Sequence, residues 1–206
     1  MKPGLIDYGG GNLQSVRNAV RALGHDPVLV QSEADLAEVD ALVYPGQGAF
    51  ADCMNALNRQ GLTEPLKQWI LADRPYFGIC VGYQVLFEGG EENPGVPGLG
   101  VLRGQVVRFP SEPGLKVPHM GWNNVNPAHP DSAAWAGLGE SPFFYFVHSY
   151  YPEPLEAGVI AGTTNYAGRD FAAAVQRGRM IATQFHPEKS QATGLRLLEN
   201  FLSQCA

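Results

Sequence analysis

In its first half the chain alternates short apolar runs with segments of helical period, and that rhythm constrains the fold more than any other feature. Leu5-Ile6-Asp7 reads as a first strand, and Gly9-Gly10-Gly11-Asn12 turns the chain after it. Leu13, Val16, Val20 and Leu23 recur at helical spacing, which predicts an amphipathic helix over 12–23 that Gly24 stops. Pro27 to Val30 and Ala41 to Tyr44 read as the second and third strands. A helical stretch carrying Leu57, Leu62, Leu66, Trp69 and Ile70 follows, interrupted near Gly61. Tyr76 to Ile79 is a fourth strand, with a helix over about 81–87 behind it. Strands and helices in this alternation imply an α/β fold built on a doubly wound, mostly parallel open sheet flanked by helices.

The middle of the chain breaks the rhythm. From Glu88 to Pro130 it is rich in Gly and Pro, with short strands such as Gly104 to Phe109, and reads as an excursion of loops and antiparallel strands. Phe143 to Val147, Val159 to Gly162, Ala172 to Gln176 and Met180 to Phe185 read as later strands, and about 191–203 as a last helix. The 206 residues suit one compact domain over 1–206. A formal net charge of −6, with no run of Lys or Arg, argues against a nucleic-acid or anionic-membrane surface. No apolar run approaches a membrane span, and the N-terminus lacks the apolar stretch of a signal peptide. Three cysteines, odd in number and irregularly spaced, argue against a disulfide framework, so a reducing cytoplasm is the expected setting.

Ligands of open α/β sheets bind beyond the carboxyl ends of the strands. Gly78-Ile79-Cys80-Val81-Gly82 sits at such a place, between an apolar strand and a helix. It has the form of a nucleophile elbow, in which glycines flank a residue held on a crowded strand-to-helix turn. The helix start favours a thiolate, and the backbone N–H of Val81 is an oxyanion donor in this reading. An arbitrary cysteine is more often a buried small hydrophobe, and Cys53 and Cys205, which lack the glycine frame, are read that way.

A thiol nucleophile needs a base, and the base an orienting partner. Of five histidines, His186 follows the strand ending at Phe185 and opens His-Pro-Glu-Lys-Ser, with Glu188 two residues on. By itself the segment is as readily a polar surface loop; beside the Cys80 elbow it reads as base and orienter. His148, at the end of the strand Phe143 to Val147, is the rival base, though Ser149 and Tyr150 beside it suggest a substrate-lining loop. His119 lies in a Pro-rich segment with no carboxylate near it in sequence, and His25 and His129 read as loop residues. No Cys pair or His pair has zinc spacing, so no metal is expected, and no cofactor either. Pro45-Gly46-Gln47-Gly48 lacks the Lys-Ser/Thr of a phosphate loop and fits better as a strand-end turn offering a backbone N–H to an oxyanion.

Together these segments resemble the class I, triad-type glutamine amidotransferases. Ile6 to Leu13, Pro118-His119-Met120-Gly121-Trp122-Asn123, Tyr145 to Tyr150 and Gln184 to Ser190 narrow the likeness to glutaminase subunits of imidazole glycerol phosphate synthases. The resemblance spans nearly the whole chain. It implies that Cys80 attacks the glutamine amide, that His186 moves the protons and that Glu188 orients His186. It also implies an oxyanion site from the N–H of Val81 and one from the Gln47–Gly48 turn, which in this family rearranges. Gly48, Gln84, Glu92, Ser149 and Tyr150 match glutamine-binding positions. Asn12, Trp122, Tyr145 and Lys189 match positions near the implied partner, a (β/α)8-barrel cyclase subunit that takes up the ammonia. Val81 and Tyr83 stand where Leu and Met are common, and Gln47 where Val is common. The rival readings are a glutaminase subunit of another synthase (anthranilate or pyridoxal phosphate), a stand-alone cysteine hydrolase, and a non-catalytic binding module. The Trp122 segment weighs against the first, and the intact Cys80, His186 and Glu188 against the last.

Overall fold

A computed structural model describes residues 1–10, 12–112 and 114–205, so Gly11 of the first turn lies outside the described residues. In chain order the elements begin with β1 (Pro3–Ile6), α1 (Leu13–Ala22), β2 (Val28–Val30), a single turn α2 (Glu33–Leu36) and β3 (Ala41–Tyr44). Then come α3 (Phe50–Arg59), α4 (Thr63–Leu71), β4 (Tyr76–Ile79) and α5 (Val81–Gln84). The loop-rich middle holds β5 (Gly104–Arg108), β6 (His119–Asn124) and β7 (Asn126–Pro127). Last are β8 (Phe143–His148), β9 (Tyr150–Pro154), β10 (Ile160–Tyr166), β11 (Arg169–Arg177), β12 (Met180–Thr183) and α6 (Gln191–Ser203).

Eight strands form the central sheet in the order β2-β1-β3-β4-β12-β11-β10-β7. The first five run parallel, and β11, β10 and β7 continue the sheet antiparallel. Every residue of β1, β3, β4 and β12 is buried, which is why these strands read as unbroken apolar runs: a parallel strand covered on both faces has no polar side. The chain leaves β1 for β2 on one side and passes from β3 to β4 on the other. Right-handed crossovers then place α1 and the α3–α4 pair on opposite faces. The order reverses between β1 and β3, so the crevice for a ligand opens at their carboxyl ends.

Val16, Ala19 and Val20 form the buried stripe of α1. Its end falls at Gly24, whose φ of +84° lies where glycine is least strained. Gly61, with φ +68°, separates α3 from α4 in the same way. Phe201 of α6 packs on Phe77 of β4, with ring centroids 5.2 Å apart. The middle of the chain is antiparallel as expected: β5 pairs with β9, and β6 with β8.

Four local readings change. Tyr150 is the first residue of a strand, β9, and not of a loop. His119 likewise lies in a strand, β6. The helix after Cys80 keeps α geometry only to Gln84; Leu86 and Phe87 then bond three residues back, to Tyr83 and Gln84, tightening the chain into its turn. The last sheet strand ends at Thr183, two residues early. Among the described residues, no helix is long and apolar enough to cross a membrane.

Candidate active site

Four adjacent parallel strands, β1, β3, β4 and β12, deliver their next residues to one edge of the sheet. The register pairs Leu5 with Val43, Tyr44 with Gly78 and Ile79 with Thr183. It therefore collects Tyr8, the Pro45–Gly48 turn, Cys80 and His186 in one place. Cys80 holds φ +51° and ψ −102°, a region that costs a side-chain-bearing residue on the order of 1–3 kcal/mol. The surroundings impose it. The Cys80 N–H donates to the Thr183 carbonyl at 2.7 Å, and the Cys80 carbonyl accepts from Tyr83 and Gln84, both at 3.0 Å. The glycine frame has a steric cause: a Cβ on Gly78 would overlap the Gly82 carbonyl, and one on Gly82 the Tyr44 carbonyl. Gly46 lies so close that a Cβ there would overlap the Ile79 carbonyl and the Val81 nitrogen.

Opposite stands an imidazole–carboxylate pair. His186 Nδ1 and Glu188 Oε1 are 2.8 Å apart, and both side chains are 1% exposed. The carboxylate can only accept, so Nδ1 carries the proton and Nε2 is left to act as base. Nε2 is buried and makes no hydrogen bond among the described residues. Burial opposes charging this imidazole, but Cys80 and then Glu188 outweigh it and hold its pKa up, at about 9. The imidazole thus keeps a proton more readily than a free one.

The backbone of His186 is held as firmly as its ring. Its N–H donates to the Tyr145 carbonyl at 2.9 Å. Its carbonyl accepts from the Ser190 hydroxyl at 2.6 Å, and the Ser190 hydroxyl oxygen accepts from the Tyr145 N–H at 2.9 Å. Strand β8 therefore fixes the His186 backbone. Ser190 is fully buried, so Ser190→Ala takes the hydroxyl partner from the Tyr145 N–H and one of two donors from the His186 carbonyl, which keeps the Lys189 N–H. We expect it to lower unfolding free energy by about 1–3 kcal/mol in urea titrations, with a small loss of activity from a looser His186.

A cleft of about 360 Å³ opens over Cys80, Val81 and His186, and its walls include Gln47, Gly48, Gln84, Glu92, Ser149 and Tyr150. That volume suits a small ligand. All five residues expected to bind substrate line it. Gln84 Nε2 donates to the Tyr150 carbonyl at 3.0 Å and to Gln184 Oε1 at 3.3 Å, while Gln184 Nε2 lies 3.5 Å from Cys80 Sγ. Glu92 accepts from the Phe50 N–H at 2.8 Å, so it also caps α3. Two larger clefts, of about 590 and 620 Å³, contain neither cysteine nor histidine.

His148 belongs to the wall and is no rival base. Its Nδ1 is 2.9 Å from the Tyr150 carbonyl, which forces a donor there, and its Nε2 then accepts from His119 Nδ1 at 3.0 Å. Burial pushes His148 down to about 3 and His119 to about 4, so both are neutral. Sequence reasoning assigned no role to Gln184, Ser190 or Tyr8. Tyr8 bears on the expected oxyanion site: its hydroxyl donates to the Gln47 carbonyl at 2.7 Å and accepts from the Gln47 N–H at 3.2 Å. In this structure the second expected donor is engaged elsewhere.

The four expected interface residues fall outside the cleft. Trp122 and Tyr145 are cross-strand neighbours on the antiparallel β6–β8 pair, with rings edge-on at 6.2 Å. Met120, Trp122 and Phe143 share that face and are 61%, 48% and 57% exposed. Asn12 is the residue before α1, and Lys189 ends the turn Pro187–Lys189 that α1 packs on. Burial pushes the Cys53 thiol up to about 12 and that of Cys205 to about 11, which leaves both unreactive. Among the described residues no group of three or more His, Cys, Asp or Glu could hold a metal ion.

The description of class I glutamine amidotransferases matches residues 4–205. The imidazole glycerol phosphate synthase subunit HisH of Syntrophotalea carbinolica is 48% identical over 202 residues, covering 96% of this chain and 97% of that protein. Its namesake in Synechococcus sp. (strain JA-3-3Ab) is 46% identical over 198 residues, covering 96% and 91%. A crystal structure of a glutamine amidotransferase superposes with a TM-score of 0.77 at 21% identity over 98% of both chains, which shows a shared fold. Identity at this level over almost the full length, on a cleft with this geometry, places the chain in the class I glutamine amidotransferase family, among the HisH subunits of imidazole glycerol phosphate synthase.

Proposed function

We propose that residues 1–206 act as one glutaminase domain whose Cys80, His186 and Glu188 form the catalytic triad. The observation that carries this reading is the buried His186–Glu188 pair, which leaves Nε2 free in the same cleft as the strained Cys80 elbow. His186 takes the Cys80 proton, and the thiolate attacks the amide carbon of glutamine. The tetrahedral oxyanion is held by the Val81 N–H and an N–H of the Gln47–Gly48 turn. As it collapses, His186 protonates the leaving nitrogen, ammonia departs and a glutamyl thioester remains. His186 then deprotonates a water that attacks the thioester, and glutamate leaves as the thiolate re-forms. Gln84, Glu92, Ser149 and Tyr150 line the substrate's path.

The ammonia goes to a (β/α)8-barrel cyclase subunit docked on the β6–β8 strand pair, near Trp122, Tyr145, Asn12 and Lys189. An apolar face of Met120, Trp122 and Phe143 supports this, since contiguous exposed apolar side chains mark protein contacts. The cyclase makes imidazole glycerol phosphate and an aminoimidazole carboxamide ribotide. Three free thiols fit a reducing cytoplasm.

Glutamate release by the chain alone, and with the cyclase and its ribulose-phosphate ligand, tests the proposal. We expect little turnover alone and activation of roughly 10²-fold or more in the complex, about what completing an oxyanion site supplies. Full activity without the cyclase sinks the subunit reading in favour of a stand-alone hydrolase.

A further inference from the structure

Gln184 follows the last residue of β12 and is fully buried. Buried glutamines are uncommon, because every polar atom of the amide needs a partner. The backbone holds this one against the elbow. The Thr183 carbonyl accepts the Cys80 N–H at 2.7 Å, and the Gln184 N–H donates to the Ala173 carbonyl of β11 at 2.8 Å. These bonds bring the Gln184 side chain to the nucleophile, with Nε2 3.5 Å from Cys80 Sγ.

The direction of the amide is set from a fixed point. The Tyr150 carbonyl can only accept, and it takes Gln84 Nε2 at 3.0 Å as well as His148 Nδ1 at 2.9 Å. The nitrogen end of Gln84 therefore faces that carbonyl, and its second N–H meets Gln184 Oε1 at 3.3 Å. With its oxygen so engaged, Gln184 presents its nitrogen to the sulfur. Among the described residues Sγ is the one acceptor that Gln184 Nε2 has. A neutral thiol accepts weakly, so this amide is poorly served at rest. The bond strengthens when the sulfur carries negative charge. That happens twice in the cycle, when His186 takes the thiol proton and when the sulfur leaves the thioester.

We propose that Gln184 is a further catalytic residue, whose side-chain amide holds the negative charge on Cys80 Sγ by a hydrogen bond aimed in advance. This rests on the functional reading above, in which Cys80 is the nucleophile. The role differs from that of the oxyanion donors, which act on the substrate oxygen. The competing prediction is a packing role: if the amide only fills space and satisfies Gln84, its loss changes stability and leaves the charge on the sulfur alone.

Gln184→Met separates the two, since it keeps the length and bulk of the side chain and deletes the donor. Alkylation of Cys80 by iodoacetamide, followed on the Cys80 peptide by mass spectrometry, is expected to reach half its maximal rate about one pH unit higher than in wild type, the worth of one hydrogen bond to a charged group. The plateau rate at high pH stays at the wild-type value and shows that the elbow is intact. In the complex with the cyclase, kcat for glutamate release falls roughly tenfold, with KM little changed, because Gln184 lines no part of the cleft. A half-maximal pH that does not move, or a change confined to the plateau, overturns the proposal in favour of packing. If Gln184→Met does not fold, NMR of the Gln184 side-chain amide decides: its protons shift when Cys80→Ala removes their acceptor, and unmoved signals overturn the proposal. If wild type releases no glutamate with the cyclase, the functional reading has failed, and the alkylation profile still decides whether Gln184 acts on the sulfur.

Discussion

Cys80→Ala in the complex with the proposed cyclase is expected to reduce glutamate release to background, a loss of roughly 10⁵-fold or more, the scale seen when a nucleophile that works as part of a unit is deleted. The reason is covalent: no other side chain lining the cleft is a thiol, and the thioester has nothing else to form on. The substitution removes one sulfur from a residue that is 6% exposed, and alanine meets the same backbone demand at φ +51°. Folding and cyclase binding therefore survive, so lost activity is not lost structure. The complex distinguishes the missing step from a missing partner. Cys80→Ala with glutamine is expected to make no imidazole glycerol phosphate, and ammonium salts at high pH are expected to restore synthesis, since the cyclase then receives ammonia from solution. Glutamate release above about 1% of wild type would remove Cys80 from the mechanism.

The parts of this fold that could be read in the sequence are those whose cause is local. Strands β3 and β4 begin and end where their apolar runs do, because both faces are covered and every residue is buried. The interruption at Gly61 and the stop at Gly24 follow from positive φ at those positions. Helix α6 spans 191–203 as its leucine stripe indicates. Strand β9 was hidden by its composition. Pro152 and Pro154 argue against a strand, yet β9 pairs only with β5, and a strand with one free edge has backbone positions where a missing N–H costs nothing. The four residues of α2 are too few to show a period.

The site divides the same way. Cys80 and Gly82 announce themselves because the elbow's crowding leaves a mark two residues wide, and His186 and Glu188 because Pro187 holds them in one turn. Tyr8 has no such mark. Its contact with Gln47 spans 39 positions and depends on which way one peptide group faces. His119 and His148 meet only through the β6–β8 register, 29 residues apart, and the Ser190 hydroxyl serves His186 by linking its carbonyl to the Tyr145 N–H. In each case the missing information was a strand pairing, not a residue type.

Glu188→Gln is expected to lower kcat by roughly 10²- to 10⁴-fold with KM for glutamine little changed, since Glu188 lines no part of the cleft. Glutamine can still reach Nδ1, but it is uncharged, and its amide end can donate to Nδ1 and send the proton to Nε2, where a base is needed. The same change has a signature in stability. Folding raises the His186 pKa from an ordinary 6.5 to about 9. Between those values the native state therefore binds more protons than the unfolded chain, and stability falls as pH rises through that window. The contribution is complete below about pH 6.5 and gone above about pH 9. Cys80 causes the larger part of the elevation and Glu188 the rest, so Glu188→Gln moves the upper limit down and flattens the decline without abolishing it. Chemical denaturation of both proteins at pH 6 and pH 9.5 measures this. An undiminished decline in the variant would mean that Glu188 does not act on the His186 charge, and its place in the triad would then rest on geometry alone.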